Sequence, residues 1–146
     1  MSTRAQIGIY ESREQNISKP SVLIYKHSGG YPEGLLPIIT PFLARFDKER
    51  GISDTEYCGA WLVHELITKH IQGLKEWRVE IKTVFPSNQP DDDGYDFLGH
   101  GICQGFHGDI EYFYRVSPGV IEVYETPDGE DPKGYKKIKT IKLAAA

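Results

Sequence analysis

The chain has 146 residues, with hydrophobic residues at 39%, charged residues at 26% and a formal net charge of −4. That length suits one domain with a single buried core, and the composition is that of a globular chain, which excludes long disorder. The longest apolar stretch, Gly34 to Ala44, is eleven residues and carries Pro37 and Pro41, short of the roughly 20 needed to cross a bilayer.

Met1 to Gln6 holds no apolar leader region, and two cysteines form no disulfide framework, so the expected location is the cytoplasm. The ending Lys142-Leu-Ala-Ala-Ala146 has the look of a translated cloning site. Residues 142–146 are therefore read as a vector-derived scar and 1–141 as the domain. Charge is unevenly placed: between Gln89 and Asp131 stand eleven acids against one base, Arg115. Such a stretch repels phosphate backbones, so nucleic acid is not an expected partner, and it reads as solvated face and loop.

In chain order, Arg4 to Tyr10 places Ala5, Ile7 and Ile9 on one side of a period-2 pattern, a strand. Ser21 to His27 is a second, and the polar connection Glu11 to Pro20 would let the two pair as a hairpin. Leu35, Ile39, Phe42, Leu43 and Phe46 follow helical spacing. Because Pro37 and Pro41 oppose a helix interior, Thr40 as N-cap with Pro41 at the first position predicts a helix over 40–49, closed by Gly51.

Ser53-Asp54-Thr55-Glu56 reads as a capping box opening a helix over 54–74. Its expected buried face is Tyr57, Ala60, Trp61, His64, Ile67, Ile71 and Leu74, with His64 a core histidine. His70, near the helix end, would complement the dipole. Trp77 to Phe85 alternates and predicts a strand stopped by Pro86. Phe97 to Phe106 is a glycine-punctuated strand candidate. Asp109 to Val116, turned at Ser117-Pro118-Gly119 into Val120 to Glu125, reads as an antiparallel meander. The expected fold is α+β, a single domain with a largely antiparallel sheet against two helices in the order β-β-α-α-β-β-β-β.

The first candidate site is Tyr25-Lys26-His27-Ser28-Gly29-Gly30-Tyr31-Pro32, a strand feeding a glycine turn into a helix. Such a junction can turn backbone N–H groups toward an anion, although the P-loop and dinucleotide spacings are missing. Ser2-Thr3-Arg4-Ala5 followed by Ile24-Tyr25-Lys26-His27-x-x-Gly30-Tyr31-Pro32 resembles a group of small proteins from phages, prophages and other mobile elements. Asp109-Ile-Glu-Tyr-Phe-Tyr114-Arg-Val116 fits the same group. In that group the stretch usually reads Tyr-x-His-x-Asp-Gly-Tyr-Pro, and Gly29 stands here where an aspartate is common. The resemblance implies a mobile-element context, marks Arg4, His27 and Tyr31, and brings no established activity. Together with Gly29 and Gly30 these form the expected ligand-binding set.

The second candidate gathers His100, Cys103, His107 and Asp109 within ten residues, a donor set zinc accepts. Strand alternation points His100 away from the other three, and Gly99, Gly101, Gly105 and Gly108 suggest a bent hairpin, so no metal is expected. A nucleophilic Cys103 would need a lowered pKa and an orienting group. Asp91-Asp92-Asp93-Gly94 fails as a calcium loop, since Gln89 and His100 fall where acids are required.

No complete catalytic or cofactor motif is present, and 17 aromatic residues are available as interface anchors. The expectation is a non-catalytic accessory protein without cofactor that binds a protein partner or self-associates as a homodimer. The alternative is a small-molecule or anion-binding protein, or a hydrolase-like enzyme, with a pocket around His27 and Tyr31.

Overall fold

The computed structural model describes residues 3–84, 97, 99–127 and 130–145. The elements are β1 (Ala5–Ile9), β2 (Val22–Lys26), α1 (Pro32–Glu49), α2 (Thr55–Val84), β3 (His100–Ile102), β4 (Tyr112–Ser117), β5 (Val120–Glu125) and β6 (Lys136–Lys142). The fold is α+β, with the six strands in one sheet of order β3-β2-β1-β4-β5-β6. Every pairing is antiparallel except β1 with β4, which run parallel with Ala5 opposite Tyr112 and Ile9 opposite Val116.

Alternation along the strands builds two apolar layers. Ala5, Ile7 and Ile9 join Tyr114, Val116, Ile121 and Val123 against Leu35, Ile39 and Leu43 of α1 and Cys58, Leu62 and Leu66 of α2. The opposite face holds Tyr10, Leu23, Ile110, Phe113 and Tyr135, over which Cys103 and Phe106 pack from the segment after β3. The sheet is thus covered on both faces, by helices on one and by loops on the other.

Helix α1 starts at Pro32 and runs through Pro37 and Pro41, eight residues before the expected start. Both internal prolines are exposed and lie four residues apart. Hence the backbone bonds they cannot make are lost on the solvent side, where water serves the freed carbonyls. The expected end holds: Arg50 and Gly51 both donate backbone N–H bonds to Phe46 O, and Gly51 sits at φ +100°, a conformation that favours glycine.

The expected strand over 77–85 is not formed, because α2 continues to Val84. Between Thr55 and Val84 no proline interrupts the chain, and Lys75, Glu76, Glu80 and Lys82 are good helix formers. Elongating an existing helix costs far less than nucleating a new element. The alternation of Trp77, Val79 and Ile81 therefore wraps around the helix and leaves Trp77 and Val79 exposed. The fourth late strand is instead β6, whose lysines, at an exposed sheet edge, hide the pattern. Among the described residues of 97–106, strand is confined to 100–102.

Lys142 and Leu143 also differ from expectation. Lys142 pairs with Val120, Leu143 N–H donates to Gly119 O, and the Leu143 side chain is buried in the helix-side core. Both belong to the folded domain.

Candidate functional site

The glycine turn is built for close approach. Gly29 has φ +66°, and a Cβ on Gly30 would stand 2.6 Å from Ala5 Cβ and 2.9 Å from Thr3 O. Gly30 N–H donates to Thr3 O at 2.9 Å, and its carbonyl accepts the buried Tyr114 hydroxyl at 2.6 Å. Its backbone groups are thus engaged in tying the start of α1 to β1 and β4. Tyr31 is the residue before α1; its ring lies against Gly34 in the first helical turn and is half-exposed.

Arg4 and His27 lie elsewhere, on the loop-covered face. Arg4 Nη1 donates to Asp109 Oδ2 at 3.1 Å, and His107 Nδ1 is 3.9 Å from Asp109 Oδ1. Tyr25 stacks on His107 at 4.8 Å between ring centroids, and its hydroxyl is 3.1 Å from His27 Nδ1. Buried Gln6 donates to Gly105 O and accepts the His107 N–H. The structure therefore joins Arg4 and His27 through Tyr25, His107 and Asp109, and sends Tyr31 to the helix side.

Burial dominates the electrostatics of Tyr25 and Cys103. Burial, then the Asp109 carboxylate, raises the Tyr25 phenol, with Arg4 opposing. Burial likewise raises the Cys103 thiol despite a hydrogen bond with Gln6. Both are protonated and weakly nucleophilic near neutral pH. The cluster's hydrogen bonds hold the segment 103–110 over the second apolar layer.

On the helix side, Lys26 Nζ is 3.4 Å from His100 Nε2, and the His70 ring of α2 meets the His100 ring edge-on at 5.4 Å. Burial lowers the Lys26 ammonium pKa. His100 and Cys103 thus lie on opposite faces of the sheet, and among the described residues no group of three His, Cys, Asp or Glu side chains could hold a metal ion. The Asp91-Asp92-Asp93-Gly94 segment lies outside the described residues.

The largest departure concerns α2. Its buried face is Thr55, Cys58, Gly59, Leu62 and Leu66, roughly opposite the stripe expected from the sequence. Gly59 decides the rotation: a Cβ there would meet Val22 at 2.8 Å, so the helix touches β2 where its side chains are smallest. Tyr57 and Trp61 are both left 53% exposed, which for large aromatics marks a contact surface. His64 is exposed, with its ring edge-on to Trp61 at 5.6 Å, and is no core histidine.

Beside Trp61, α1 and α2 border a groove of about 400 Å³ lined by Phe42, Phe46, Trp61 and His64, with Arg45, Glu49, Arg50 and Glu65 around it. Arg45 pairs with Glu49 and Arg50 with Asp54, while the Arg50 guanidinium also covers the Tyr57 ring at 4.0 Å. The cation over the ring holds Tyr57 in place without removing it from the surface. A competing stripe of small and branched residues, Cys58-Gly59-x-x-Leu62-x-x-x-Leu66, is the sequence signal that identifies the true inner face.

No known family, curated protein or solved structure matches this chain.

Proposed function

We propose that the chain is an accessory protein of a mobile element that acts by binding protein through the α1–α2 face. The observation that carries this reading is the exposure of Tyr57 and Trp61 beside an apolar groove. Aromatic anchors bordered by charged residues of both signs have the anatomy of a protein interface. Two helices forming the walls of a groove suit helix-in-groove docking. The cluster around Arg4 and His27 supports the same reading from the other side, since its hydrogen bonds hold a loop in place. The mobile-element context rests on the resemblance.

The test places a photo-crosslinking amino acid at position 61, with position 104 on the opposite sheet face as control. Irradiation in the host cell, followed by mass spectrometry of the joined peptides, should give a discrete protein adduct at 61 and none of that kind at 104. Equal labelling at both positions, or none at 61, would overturn the proposal.

A further inference from the structure

The same face carries a more specific identification of what covers it. Resting on the protein-binding reading above, we infer that the occupant of the α1–α2 groove is a second copy of this chain, related by a two-fold axis.

A two-fold contact needs a surface complementary to itself, because each residue i that meets j is matched by j meeting i. This face carries both halves of such a match. Trp61 projects from α2, and the groove it would fill in a partner lies immediately beside it, between α1 and α2. An axis passing between the projection and the groove sets each copy's indole over the other copy's Phe42 and Phe46.

Charge points the same way. Two identical chains each carry a formal −4, and residues 89–131 are far more acidic than the rest, so most surfaces of one copy repel another. The groove borders hold Arg45 and Arg50 against Glu49 and Glu65, which sum to zero. Cation and anion alternate there, so a two-fold pairing brings arginines toward glutamates at no like-charge cost. A strongly cationic or anionic partner would instead favour a rim of one sign.

The extent of the patch sets the strength. Tyr57 to Thr68 covers about 16 Å of α2, and Phe42 to Glu49 about 10 Å of α1. That is less than a standard interface of about 800 Å² per partner supplies comfortably. The dimer should therefore be concentration-dependent, with dissociation in the micromolar range or weaker.

The experiment is sedimentation velocity on the full chain, loaded from about 1 µM to about 1 mM, a span that brackets that strength. It compares the unaltered chain with Arg45→Glu, with Glu65→Arg, and with an equimolar mixture of the two. The first change gives the rim a net −2 and the second a net +2. Both positions are on the surface, and circular dichroism confirms that each variant is folded. The unaltered chain should shift from monomer toward dimer as concentration rises. Each variant should remain monomeric at loadings where the unaltered chain dimerises, and the mixture should recover dimer. A chain that stays monomeric throughout overturns the inference, as do single variants that dimerise like the unaltered chain or a mixture that does not recover. If position 61 still crosslinks to a different protein in that event, the protein-binding reading stands while the second copy is excluded.

Discussion

Cys58 offers a quantitative test of how α2 is seated. Its side chain is fully buried against the sheet, and burial, reinforced by Asp47 and Asp54, pushes the thiol from its ordinary 9.0 up to about 12. The folded state holds the proton more tightly than the unfolded chain, so the thiol's contribution is fully present below about pH 9. It is lost as pH rises from there through the folded value. At about pH 10.5 the unfolded thiol is ionised and the folded one is not, a difference of about 1.5 pH units, or about 2 kcal/mol of lost stability. Tyr10 and Tyr114, also fully buried with raised phenol pKa values, add losses of under about 1 kcal/mol each at that pH. They do so with or without Cys58. Urea unfolding at about pH 8 and pH 10.5 under reducing conditions, for the unaltered chain and Cys58→Ala, separates the terms. The variant should start less stable because of the small cavity, yet lose about 2 kcal/mol less on going to the higher pH. Equal losses in the two proteins would mean that Cys58 faces solvent and that α2 is rotated toward the face expected from sequence.

Gly30→Ala should cost upward of about 3 kcal/mol, or abolish soluble expression, because the added Cβ meets Ala5 and the Thr3 carbonyl inside normal contact distance; thermal unfolding checks it. Tyr114→Phe strands the buried Gly30 carbonyl and should cost about 1–3 kcal/mol by urea unfolding. Leu143→Ala should cost about 2–4 kcal/mol, since the side chain is buried in the main core; a loss within about 0.5 kcal/mol would show that the chain ending is dispensable. Chelator should leave Tm unchanged, because His100 lies across the sheet from Cys103; a fall on chelation would signal a structural metal.

The parts of the fold that were legible in the sequence are those where one periodicity dominates. Ala5, Ile7 and Ile9 alternate with Gln6 and Gly8, and the Ser117-Pro118-Gly119 turn joins β4 to β5 with Gly119 at φ +83°. Elsewhere two patterns compete within one segment. In α2 a stripe of larger side chains at Tyr57, Trp61 and His64 competes with the smaller, more apolar stripe at Cys58, Gly59, Leu62 and Leu66. The close approach to Val22 nevertheless admits only the smaller one. From Trp77 onward, apolar alternation suggests a strand, yet with no proline before Pro86 and with Arg78, Glu80 and Lys82 set between the apolar residues, α2 continues. Because the sequence assigns Trp61 and His64 to the core, it hides the groove that carries the proposed function. Arg4 and His27 stand out in the sequence, but their partners Tyr25, His107 and Asp109 come together only through the pairing of β1 with β2 and the folding of 103–110 over the sheet.

Solvent access to the Trp61 indole, in a Trp77→Phe chain so that its fluorescence is read alone, tests the binding face most directly. Acrylamide quenching is measured on the isolated chain at low concentration and again in the complex with whichever protein crosslinks at position 61, a second copy included. Quenching should be efficient in the free chain, as a half-exposed indole requires, and should fall several-fold in the complex. An indole already shielded in the free chain, or one quenched equally in both states, would contradict the assignment of the α1–α2 face as the protein-binding surface.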